Sequence, residues 1–156
     1  MEEIVSYLIK LSDGKFQLLN SMYDITLKQG KALKENNVEL LNKAIGEKQD
    51  IIERIDILDK EFLEKYELVK RGLGIENIEK LTEPVIGFKS LQSKIRDIMD
   101  MLNKIRQVDD SNVKQAKINM DESKKHLQNV RIGKKAYSSY NRKPMEGASI
   151  FLDKKE

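Results

Sequence analysis

The residues best placed to do chemistry lie late in the chain, in "KKHLQNVRIGKKAYSSYNRK" (124–143), which holds seven Lys/Arg and no acid. The whole chain has 29 basic and 26 acidic side chains, so outside this stretch 22 bases face 26 acids. Lys124, Lys125, Arg131, Lys134 and Lys135 could engage phosphates, with Tyr137 or Tyr140 stacking on bases. The same side chains could be the solvated end of a helix, where cations suit the dipole. A third reading takes Val113, Ala116, Met120, Leu127, Val130 and Tyr137 as anchors for a partner helix, with Met120 as the adaptable member. Against nucleic acid stand the sparse aromatics, 6% of the chain, and the lack of a second basic stripe earlier on.

Catalytic and metal chemistry find little footing. His126 is the only histidine and there is no cysteine, so a zinc site would need carboxylates, which zinc seldom prefers. A di-iron bundle needs Glu-x-x-His, and position 123 is Ser. Phosphate-cradling and nucleophile-elbow glycine motifs are absent. Paired acids such as Asp109-Asp110 are sequence neighbours, which do not face each other on a helix. The reading is of a chain that is not an enzyme and calls for no cofactor.

Helices must position these residues. Charged residues make up 35%, and Pro84 and Pro144 are the only prolines. That composition suits long solvated helices with narrow apolar stripes. No period-2 run bounded by turn residues reads as a strand. From about Glu2 to Lys34, Ile4, Leu8, Leu11, Leu18, Met22 and Ile25 recur at steps of three and four, with Lys15 filling the one skipped slot, broadened by Val5, Leu19 and Leu33. Gly14 and Gly30 interrupt this helix at a cost of about 1 kcal/mol each against Ala. "KENNVE" (34–39) breaks the pattern, with Asn36 or Asn37 as a cap. The second stripe runs from about Val38 to Arg71 through Leu41, Ile45, Ile52, Ile55, Phe62, Tyr66 and Val69, flanked by Ala44, Ile51 and Leu58. A short link makes the two neighbours antiparallel, a hairpin with arms of roughly 45–50 Å.

"RGLGIENIEKLTEP" (71–84) is the second break, with Gly72 and Gly74 suited to ending a helix and Thr82 with Pro84 to starting one. A third stripe follows: Phe88, Leu91, Ile95, Ile98, Leu102 and Ile105. At "VDDSN" (108–112) the in-phase slots hold Asp109 and Asn112, after which apolar residues return on a shifted line, which points to a kink or to a separate last helix. The expected fold is therefore all-α: a long antiparallel helical hairpin plus a third long helix, kinked or broken, three to four helices in all. Residues 1–140 read as one elongated coiled-coil-like bundle. Residues 141–156 read as a mobile tail with an apolar patch at Ile150, Phe151 and Leu152. The acidic start "MEEIVSYLIKLSDGK" is unlike a secretory leader, and no apolar run reaches the ~20 residues of a membrane span. The absence of cysteine agrees with a reducing compartment.

The order of these parts resembles the FlgN family. "LKQGKALKENNVELLNKAIGEKQDIIERIDILDKEF" (27–62) is similar to that family's signature region, with Leu27, Leu33, Leu41, Lys48, Ile52, Ile55, Leu58 and Asp59 at the matching positions. The ending "ASIFLDKKE" resembles a short tail of such chains through Ser149, Phe151, Leu152, Asp153, Lys154 and Lys155. Gln29 and Gly30 depart from the pattern, where many members carry Glu. The resemblance implies a cytoplasmic chaperone of flagellar type III export. Its cargo would be the hook-associated, or hook-filament junction, proteins FlgK and FlgL, delivered to the export apparatus. It places cargo binding in the C-terminal helical region, here Val113 to Tyr140, with Phe151, Leu152 and Asp153 as a tail motif. Two alternatives stay open: a self-associating coiled-coil adaptor, and a nucleic-acid-binding helical protein.

Overall fold

The computed structural model describes residues 1–77 and 85–141. Three helices account for them: α1 (Glu2–Lys34), α2 (Val38–Leu73) and α3 (Phe88–Asn141). The chain divides into two compact units, Met1–Val113 and Lys114–Glu156. Expectations for Thr82 and Pro84, and for the tail beyond Asn141 with Phe151, Leu152 and Asp153, fall outside the described residues.

The first turn is built from two asparagines. Asn37 caps α2, its Oδ1 accepting from the Leu40 amide at 3.0 Å. Asn36 occupies the left-handed region at φ 52°, which asparagine tolerates better than most residues. α2 ends where Gly74 turns left-handed at φ 65° and ψ 30°. The Ile75 amide then reaches back to the Lys70 carbonyl at 3.1 Å, closing the helix end. Gly72, the other candidate for this role, lies within the helix.

Contacts fix the directions of the helices in the first unit. Lys15 pairs with Asp59 at 2.7 Å and Lys48 donates to Gln29 at 3.2 Å, so α2 runs antiparallel to α1. Lys94 pairs with Asp13 at 2.7 Å and Asn112 meets Thr26, so α3 runs parallel to α1. Between them lie two apolar clusters. One joins Val5, Leu8 and Leu11 to Val69, Phe88 and Leu91. The other joins Leu19, Met22 and Ile25 to Ala44, Ile51, Ile55, Ile98 and Ile105.

The buried lines match the sequence stripes with local rotations. Ser12 and Thr26 are buried in α1, where an apolar pattern does not point. Each hydroxyl donates to the carbonyl one turn back, Ser12 to Leu8 at 2.9 Å and Thr26 to Met22 at 2.7 Å, so neither is stranded. In α2, Ile45 is exposed and its neighbour Ala44 is buried instead. In α3, Leu102 is exposed while Met101 packs against the second cluster. The expectation of a separate last helix is corrected: one helix runs unbroken from Phe88 to Asn141. Asp109 and Asn112 interrupt the apolar line, but both side chains have partners on other helices, and a polar side chain that is satisfied need not end a helix.

Candidate functional site

The apolar content of α3 changes character along its length. Among the described side chains none beyond Ile105 is buried. Val113, at the end of the first unit, is exposed. Within the second unit Ala116 is half-buried, and Met120, Leu127, Val130 and Tyr137 are exposed. Tyr140 lies in the last turn of α3, and its side chain is outside the described set.

Helix geometry brings most of these residues to one side. At about 100° per residue, Ala116, Met120 and Leu127 fall within an arc of about 40°. Val130 and Tyr137 continue it on a line that drifts by about 20° per heptad, because steps of three and four average less than the helical turn. The line is not continuous. Ser123 and Lys124 separate Met120 from Leu127, and Gly133 and Lys134 separate Val130 from Tyr137. It therefore presents an upper patch, a lower patch and a terminal tyrosine, and each patch offers two apolar side chains.

Two exposed aliphatic residues of this segment escaped the sequence reading. Ile118 and Ile132 are exposed on the opposite side of the helix, about 140° from the main line. Their mutual spacing of fourteen residues is itself heptad-compatible, so a search for the second-best stripe would have found them. A pair so widely separated makes no patch of its own.

Charge frames the apolar line. Residues 114–138 hold seven Lys/Arg against Asp121 and Glu122. His126 is exposed among them. Gln115 donates to Asn119 at 3.0 Å one turn on, so the polar side of the helix is partly self-satisfied. This arrangement can hold an amphipathic helix: the aliphatic groups supply contact area and the cations hinder self-association.

Other parts of the molecule offer less. The clefts at the start of α1 are shallow, one lined by Glu3, Ile4, Tyr7, Glu61 and Lys65. There the Tyr7 hydroxyl donates to Glu61, which raises the phenol above its ordinary value, and the Lys65 ammonium sits 5.7 Å from the ring centre. Among the described residues no group of three His, Cys, Asp or Glu could hold a metal ion. No helix among them is long and apolar enough to cross a membrane.

The positions that carry the sequence resemblance have structural roles. Asp59 pairs with Lys15 across the hairpin. Lys48 bridges all three helices, donating to Gln29 on α1 and to Asp109 on α3. No curated protein and no solved structure matches the chain. The family model described as FlgN protein matches residues 1–145, nearly the full length. The chain belongs to the FlgN family, a family of flagellar export chaperones and not of enzymes.

Proposed function

We propose that this chain is a cytoplasmic chaperone that holds hook-associated proteins of the FlgK and FlgL type before type III export and brings them to the export apparatus. The observation that carries the reading is the exposure of Met120, Leu127, Val130 and Tyr137 on one side of a helix in a chain of this family. Val113, Ala116 and Tyr140, and Phe151, Leu152 and Asp153 in the tail, are further candidate contacts.

The physics of holding and releasing suits such a face. A mobile helical end of the cargo lays aliphatic residues over the two patches and loses its own freedom in doing so. That ordering cost lowers the affinity per unit of area, which keeps release within reach. Surrounding Lys and Arg keep the empty chaperone soluble and orient an acidic or polar cargo helix. No bond is made or broken, and no cofactor takes part.

Calorimetric titration with the C-terminal helical fragment of a junction protein from the same genome tests the proposal. Saturable binding near one to one, lost on removing residues 113–156, is the expected result. No heat from a folded, helical protein overturns it. Retention on single-stranded nucleic acid, falling steeply with salt, would assign the basic face to phosphates instead.

A further inference from the structure

After Phe88, the buried aliphatic residues of α3 recur one every seven, at Leu91, Ile98 and Ile105. Such a line does not distinguish the observed register from one displaced by a heptad. Ile98 would fill the slot of Leu91, and Ile105 that of Ile98, with little change in shape. Phe88, buried beside Leu91, and the Lys94–Asp13 pair anchor the start of α3, and the far end of the apolar line needs its own selector.

The next slot on the line is Asn112. Its Nδ2 donates to the Thr26 carbonyl at 2.9 Å. Its Oδ1 lies so close to Gly30 that a Cβ there would sit 2.7 Å from it, so the bare backbone of Gly30 is what admits the amide. Three residues earlier, Asp109 accepts from Lys48 at 2.7 Å, and the same ammonium donates to Gln29 at 3.2 Å. The Lys48 side chain is only 15% exposed, so losing its carboxylate would leave a poorly solvated charge.

Displacing α3 exposes the discrimination. A shift of seven residues toward its own N-terminus would put Asn112 in the slot of Ile105, within the cluster of Leu19, Met22 and Ile25, away from the Thr26 carbonyl. Ala116 would then stand opposite Lys48 in place of Asp109. The opposite shift would set Ile105 against Thr26 and Gly30, and Leu102 against Lys48. Each alternative loses both polar contacts and strands a polar group.

We infer that Asp109 and Asn112, with Lys48, Gln29, Thr26 and Gly30, form a register pin that selects one of several heptad-related packings of α3 on the hairpin. A polar residue at one heptad position specifies register in this way at some cost in stability. The pin resides in the first unit and does not depend on what the second unit binds.

The chain has no cysteine, so two introduced thiols can be labelled without background. Spin labels at Lys10→Cys and Arg106→Cys, both exposed sites, report the axial position of α3 by pulsed dipolar spectroscopy. The parent should give one narrow distance distribution. Asp109→Leu with Asn112→Leu extends the apolar line and should keep the helical circular dichroism signal. It should also add a second population, its axial position displaced by about 10 Å, the length of seven helical residues. A single unshifted distribution in the folded variant overturns the inference, as do two populations in the parent. Should the double change lose helical signal, Asn112→Leu alone carries the test. Loss of folding in both also overturns it, because a pin that only selects register leaves an apolar replacement folded.

Discussion

Leu127→Asp separates holding a partner from holding the fold. Leu127 is 56% exposed and touches no buried cluster, so its replacement should change the unfolding free energy by no more than about 0.5 kcal/mol. Lys124 lies one turn before it, and the new carboxylate meets favourable charge on its own helix. Binding is another matter. Fully burying a leucine is worth about 1.5–3 kcal/mol, and a partner that covers the exposed half gains about 1–1.5 kcal/mol of it. An aspartate at the same place forfeits that gain and adds about 1–3 kcal/mol for a polar group desolvated without a partner. The sum, about 2–4.5 kcal/mol, weakens Kd by roughly 30- to 1,600-fold. Ile132→Asp is the matched control, since Ile132 is 66% exposed and lies about 140° away around the helix. Calorimetric titration of both variants with the junction-protein fragment, beside urea unfolding of each, gives all four numbers. Equal affinities for the two variants would refute the assigned face. A large loss of stability in Leu127→Asp would refute the claim that this residue is free of the core.

Leu91→Ala empties a site where the side chain is 1% exposed, and should lower the urea-derived unfolding free energy by about 2–5 kcal/mol with the helical spectrum retained. Gly30→Ala should gain nothing in the parent chain, because the new methyl displaces Asn112 from Thr26 and so cancels the helical preference for alanine. In an Asn112→Ala background the same change should stabilise by about 1 kcal/mol, and a thermodynamic cycle of the four proteins checks the difference. Tyr7 should ionise above its ordinary value of 10.0, because the bond to Glu61 favours the protonated phenol. Its contribution to stability is therefore present below pH 10 and is lost as pH rises through the folded value. The ultraviolet difference between the parent and Tyr7→Phe, followed with pH, shows whether that phenol titrates late.

What the sequence disclosed and what it hid divide along a physical line. Helix ends were legible because capping is local chemistry: Asn37 and Gly74 depend on a few consecutive residues. Apolar stripes were legible to within one residue, since Ala44 and Ile45 are equally acceptable to a periodicity. The choice between them depends on how closely two helices approach. Ser12 and Thr26 were invisible as core residues because their satisfaction comes from a backbone carbonyl one turn back, which every helix offers. At residues 108–112 the sequence left a kink and a separate last helix open, and the helix runs on unbroken. A polar interruption seen in one dimension looks like the end of a helix. In three dimensions Asp109 and Asn112 end only the apolar contact, by exchanging it for hydrogen bonds to Lys48 and Thr26, which are far away in the sequence. Past that point the apolar residues recur on a shifted line, and a shifted line has no reason to follow the old face once the old face has been closed by polar groups. The exposure of Met120 and Leu127 was therefore legible as a pattern before any coordinates.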